Sequence, residues 1–202
     1  MKKRLFSIIT ALALCLSLLP ATALAADGDV TYRYCDANGT NWQTGTKSTS
    51  EYTKVTSDDA SWGTDGTTTW YVAQGEVTIN KRVEVKGHVH LILADDCLLT
   101  INNGIMVFND TAANTSLTIY GQSEPVLNED GTLEEGSNKT GKLIADASWY
   151  RAPYTGIGPA AGTVACQLTI NGGVITAKGA SALSGKGGSG IGCATTINGG
   201  YV

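Results

Sequence analysis

Within ten residues the chain carries two histidines, His88 and His90, an acidic pair, Asp95-Asp96, and a cysteine, Cys97. Such residues transfer protons, bind metals or assist hydrolysis. Glycoside hydrolysis needs two carboxyl groups flanking the scissile bond. Asp95-Asp96 is the only adjacent acidic pair within the repeating coils, with Glu84, Lys86, His88 and His90 as neighbours from the preceding strands. A solvated turn is the simpler reading of that pair. The histidines, at i and i+2, face one side of a strand but lack a convincing third ligand for a metal. A lyase would need several carboxylates around Ca²⁺ and a base to remove a sugar proton. Asn128-Glu129-Asp130 and Asp110 are oxygen-rich, yet no spacing forces them together. No nucleophile–base arrangement, phosphate loop or redox motif stands out. The Gly-rich 185–192 stretch lies in a β-repeat rather than between strand and helix, so a nucleotide reading fails.

Binding chemistry is better represented. Trp149, Tyr150 and Tyr154 share one loop, and broad aromatic faces stack against sugar rings. The alternative is that they fold down over the flank of the domain. Any ligand they hold is expected to be a polysaccharide, or a host or cell-wall glycan.

What must position these residues is a repeat. Thr-Ile-Asn occurs at Thr78-Ile79-Asn80, Thr100-Ile101-Asn102, Thr169-Ile170-Asn171 and Thr196-Ile197-Asn198, each followed, after two intervening residues, by a new apolar stretch. Worn copies stand at Thr118-Ile119-Tyr120 and Leu143-Ile144-Ala145, so the isoleucines fall 22, 18, 25, 26 and 27 residues apart. Strand, tight corner and strand, recurring at that interval, is one coil of a solenoid. Three short strands per turn predict an all-β, right-handed parallel β-helix of about five to six coils over residues 71–202, the hand resting on the resemblance given below. Alternation along a strand places Ile79, Ile101, Ile119, Ile144, Ile170 and Ile197 in one buried column and the threonines outside. Asn80, Asn102, Asn171 and Asn198 fit the corners, since Asn tolerates left-handed backbone and stacked Asn side chains bond one another along the axis. Cys97, Cys166 and Cys193 each lie three residues before a repeat threonine. Cys166 and Cys193 should therefore stack on successive coils with Cα atoms roughly 5 Å apart, within disulfide range.

Residues 1–25 read as a secretory signal: Lys2-Lys3-Arg4, an apolar run from Leu5 to Leu19, then Ala23-Leu24-Ala25. The apolar run is short for a bilayer span, so the mature chain is expected outside the cell or on its surface, with no transmembrane helix. Its balance is 11 basic against 18 acidic residues, or −7. That charge argues against nucleic acid as a partner. Residues 26–70, holding Trp42, Trp62 and Trp70, read as a β-rich N-terminal cap. A carbohydrate-binding aromatic surface is the alternative for this segment. The chain reaches Val202 as a new strand opens, and more sequence is expected beyond it.

The segments Trp70-Tyr71-Val72, Val89-His90-Leu91-Ile92-Leu93-Ala94-Asp95-Asp96-Cys97, Ser116-Leu117-Thr118-Ile119-Tyr120-Gly121-Gln122-Ser123 and the Thr-Ile-Asn-Gly-Gly copies resemble secreted right-handed parallel β-helix proteins of gut Firmicutes. More loosely they are similar to bacterial cell-surface carbohydrate-binding proteins of that fold. The resemblance implies surface display and says little of chemistry. Pectin-degrading enzymes share the architecture, but their Gly-His-Gly and Arg-x-Lys motifs are not found here. Three functions are therefore carried forward: a non-catalytic glycan-binding or adhesive protein, a structural stalk, and a polysaccharide lyase or hydrolase. No cofactor is required by the first, though Ca²⁺ could bridge an acidic polymer to this acidic chain.

Overall fold

The computed structural model describes residues 28–36, 39–107, 115–134, 139–149, 153–159, 166–181 and 187–202. The signal segment, Asp110 and Tyr150 lie outside them. The described residues are all-β, with sixteen strands and no helix. No helix among them is long and apolar enough to cross a membrane.

Two strands, β1 (Val30–Cys35) and β2 (Trp42–Lys47), form an antiparallel hairpin. The other fourteen form three parallel sheets. Sheet I contains β4 (Ser61–Trp62), β7 (Val83–Val85), β10 (Ile105–Val107) and β13 (Ile157–Gly158). Sheet II contains β3 (Thr53–Lys54), β5 (Thr68–Ala73), β8 (His88–Leu93), β11 (Ser116–Gly121), β14 (Gln167–Ile170) and β16 (Ala194–Ile197). Sheet III contains β6 (Glu76–Ile79), β9 (Leu98–Asn102), β12 (Lys142–Asp146) and β15 (Val174–Lys178). From β4 onward the chain visits sheets I, II and III in unbroken rotation, and bridges at Ile157–Ile191 and Val174–Tyr201 continue it past β15.

Parallel pairing in register stacks like upon like. In sheet II, Leu91, Ile119, Ile170 and Ile197 follow one another, and in sheet III, Ile79 meets Ile101, then Ala145. Sheet I contributes Val83, Ile105 and Ile157. These inward columns merge into one core whose Leu and Ile members are almost all wholly buried. Each such side chain contributes roughly 1.5–3 kcal/mol on leaving water. Trp62 closes the head of the core: it pairs beside Val85, is fully buried, and donates its indole N–H to Asp59 at 2.8 Å.

The single isoleucine column expected from the repeat is corrected to two. Ile79 and Ile101 belong to sheet III, whereas Ile119, Ile170 and Ile197 belong to sheet II. A circuit of the rotation takes 20 residues from Thr68 to His88, so the 18 residues between Ile101 and Ile119 stop one sheet short. Ile144 is in neither column. It stands opposite Thr100 and Thr176, at an outward position, because Leu143 and Ala145 take the inward ones. Ile197, on the edge strand β16 of sheet II, is 55% exposed.

The asparagines also serve two corners. Asn102 donates its amide to Asn80 at 2.8 Å, and Asn198 donates to Asn171 at 2.7 Å. None of the four adopts positive φ. The left-handed positions fall after them, at Asn103 (φ 92), Gly104, Gly173 (φ 91) and Gly200 (φ 90). Here the asparagines stitch rungs together while the following residue turns the chain.

Cys166 and Cys193 form a disulfide with Cα atoms 4.8 Å apart, fastening the last rung to the one before. Cys97 is a buried free thiol, and burial pushes its pKa up to about 11. The expected cap over 26–70 divides in two: β3, β4 and the start of β5 already belong to the parallel sheets, and the hairpin lies across the outer face of sheet II.

Two outcomes follow. Thiol labelling of the denatured protein should tag Cys35 and Cys97 and reach Cys166 and Cys193 only after reduction. Labelling of all four without reductant would contradict the bridge. Asn171→Ala should lower stability by about 1 kcal/mol in urea titrations, since Asn171 is 6% exposed and its side-chain oxygen accepts the bond that ties Asn198 to it. The exposed Asn80→Ala should cost under about 1 kcal/mol by the same measurement.

Candidate functional site

The hairpin alternates, so Val30, Tyr32 and Tyr34 share one face. That face packs on Val72, Ile92, Ala94, Trp70 and Tyr120, the outward residues of sheet II. Tyr32 lies 4.9 Å, ring centre to ring centre, from both Trp70 and Tyr120. Beneath it Trp70, His90 and Tyr120 stack, with Trp70 and His90 4.3 Å apart. Lys47 sits over Trp70 at 4.7 Å, and the Tyr52 hydroxyl donates to the carbonyl of Gly28. The hairpin is held mainly by aromatic contact.

This docking carries the hairpin tip to the corner between β14 and β15. A turn fixed by Asp36, which accepts from the Thr40 N–H and the Asn41 amide, joins the strands. Cys35 and Trp42 pair at the tip. Trp42 lies flush on Gly199, where an added Cβ would come within 2.6 Å of the indole. The Arg33 guanidinium stacks over Trp42 at 4.9 Å and pairs with Glu124. Glu124 is placed by its neighbour Ser123, whose N–H and hydroxyl both donate to the Asp95 carboxylate.

The result is a cleft of about 250 Å³ lined by Arg33, Trp42, Glu124, Leu127, Asn171 and Asn198, among others. Trp42 is 39% exposed within it. A half-open indole, an internally neutralised ion pair and a corner amide pair offer an apolar face beside donors and acceptors. That is the chemistry needed to hold a sugar ring.

The residues singled out by sequence do not converge. His88 and His90 share a face of β8, but each is occupied: His88 Nδ1 lies 2.9 Å from the Ser116 hydroxyl and His90 Nδ1 2.7 Å from that of Tyr120. Asp95 anchors Ser123, and Asp96 makes the turn at φ 61. Asp130 accepts from Thr132 within its own turn, which holds its carboxyl below the usual range. Among the described residues no three His, Cys, Asp or Glu side chains gather to hold a metal. Trp149 is 82% exposed, while Tyr154 has its ring face covered by Arg82 at 4.4 Å. Arg33 and Glu124 were missed because their partnership spans 91 residues. The tryptophan-rich 26–70 segment was the one signal that pointed toward Trp42.

Comparison with protein-family models, curated proteins and solved structures found no match to this chain.

His90 gives the hairpin a pH dependence. Burial, aided by the charges of His88 and Lys47, pulls its pKa from the ordinary 6.5 down to about 4. The docked state thus prefers neutral imidazole. Its contribution to stability is complete above pH 6.5 and is lost as pH falls toward 4. Near-ultraviolet circular dichroism should show the aromatic signal weakening across that interval in the native protein and flattening in His90→Gln. Identical titrations would contradict this.

Proposed function

We propose that this chain is an exported, non-catalytic cell-surface protein, built as a right-handed parallel β-helix, that binds neutral glycan in the cleft between its hairpin and the Asn171–Asn198 corner. The unbroken rotation through three parallel sheets supports the solenoid. The basic n-region and apolar run at the N-terminus support export. One observation carries the binding reading: Trp42 is half-open beside the Arg33–Glu124 pair and the paired corner amides.

The ligand class follows from charge. Arg33 and Glu124 cancel, the remaining polar lining is uncharged (Ser123, the corner amides and backbone), and a mature balance of −7 disfavours acidic polymers. A neutral hexose can pack against the exposed part of the Trp42 indole, which is 39% accessible, and direct hydroxyls to Asn198. Trp149 is more exposed, but Tyr154, its partner in the sequence reading, is already covered by Arg82, so Trp149 is the lesser candidate. Use of Asp95 to anchor Ser123 weighs against Asp95-Asp96 as an acid–base pair.

A glycan array probed with the secreted protein tests the reading. Neutral glycans should bind equally in Ca²⁺ and in EDTA, and Trp42→Ala should weaken them at least about tenfold. Trp149→Ala should leave them within about twofold, on the scale of an energetically near-neutral surface contact. Any acidic polysaccharide retained through Ca²⁺ should be released by EDTA. Loss of neutral binding in Trp149→Ala with Trp42→Ala unaffected would move the site to that loop. No binding at all would favour the stalk.

A further inference from the structure

Arg33 is equipped to hold a carboxylate. Its guanidinium is stacked on Trp42 and its side chain is 26% exposed. A planar, always-charged fork in that setting recognises carboxylates through paired N–H donors. The carboxylate it holds is the protein's own. Glu124 comes from a segment pinned by Asp95 to Ser123 and Gln122, so its carboxyl is returned to Arg33 whenever it leaves. Tethering of this kind gives an effective concentration of order millimolar or above.

We propose that Glu124 is the specificity-determining residue of the cleft: it occupies the carboxylate position on Arg33 and thereby excludes uronic acids in favour of neutral sugars. This rests on the glycan-binding reading of the same site. A uronate entering the cleft must displace Glu124 or bring a second carboxylate beside it, and like-charge juxtaposition rejects the wrong partner. A neutral sugar leaves the pair intact. Glu124 is 64% exposed on its side chain and packs into no core, so replacing it should not disturb the fold.

An oligogalacturonate and an oligogalactoside of the same length, linkage and anomeric configuration differ only at C6, carboxylate against hydroxymethyl. Their binding is measured calorimetrically in EDTA at low salt on the native chain, Glu124→Gln, Glu124→Gln/Arg33→Gln, and Glu129→Gln as a control for net charge. Glu124→Gln should gain at least about tenfold in oligogalacturonate affinity, a gain that salt diminishes. Oligogalactoside affinity should not rise with it, since a neutral sugar brings no carboxylate to the position vacated on Arg33. The double variant should lose the gain, and Glu129→Gln should show none. No gain in Glu124→Gln, a gain that survives Arg33→Gln, or an equal gain in Glu129→Gln would each overturn the proposal. Oligogalactoside binding is read separately: its absence from the native chain counts against the neutral-glycan reading, whereas the oligogalacturonate comparison decides the role of Glu124.

Discussion

Everything in this molecule depends on parallel strands pairing in register. A one-residue slip would turn every inward Ile and Leu outward, so the core columns and the rung register enforce one another. The same register brings outward groups into line. It puts Asn102 on Asn80, Asn198 on Asn171, Cys193 on Cys166, and Trp70 beside His90. The amide pairs, the disulfide and the aromatic stack are consequences of one spacing, about 4.8 Å between strands, acting on different side chains.

The hairpin uses the outer face that this register creates. Sheet II is apolar on both sides: Leu91 and Leu93 point into the core, and Val72, Ile92 and Tyr120 point outward to meet Tyr32 and its neighbours. Covering that face removes it from water and carries Arg33 and Trp42 to a corner built from residues more than 120 positions later. The cleft is thus a composite, with its aromatic platform on the hairpin and its amides on the parallel stack. Holding the platform by ring contacts over His90 ties its assembly to a side chain that is most comfortable neutral.

Much of the architecture was legible because the repeat is written in side-chain types. Val77-Thr78-Ile79, Val83-Glu84-Val85 and Val89 to Leu93 read as three strands with corners between, and β6, β7 and β8 stand there. The stacking of Cys166 and Cys193 followed from their shared offset, and their Cα distance of 4.8 Å agrees with it. The phase of the repeat was not legible. Thr-Ile-Asn reports a strand end entering a corner, and two of the three corners use it, so identical triplets fall in different sheets. Ile144 shows the same limit: with Leu143 and Ile144 adjacent, only register decides which faces inward. The cleft was least legible, since its parts are joined by the path of a hairpin and no local pattern in 26–70 says which face it covers.

Hydrogen exchange followed by mass spectrometry, with and without a bound neutral oligosaccharide, bears most directly on the composite cleft. The proposed cleft predicts simultaneous protection in strands β1 and β2 and in the 194–200 corner, because a glycan seated there would contact both. Protection confined to the peptide around Trp149, or to the corner with the hairpin unchanged, would contradict it.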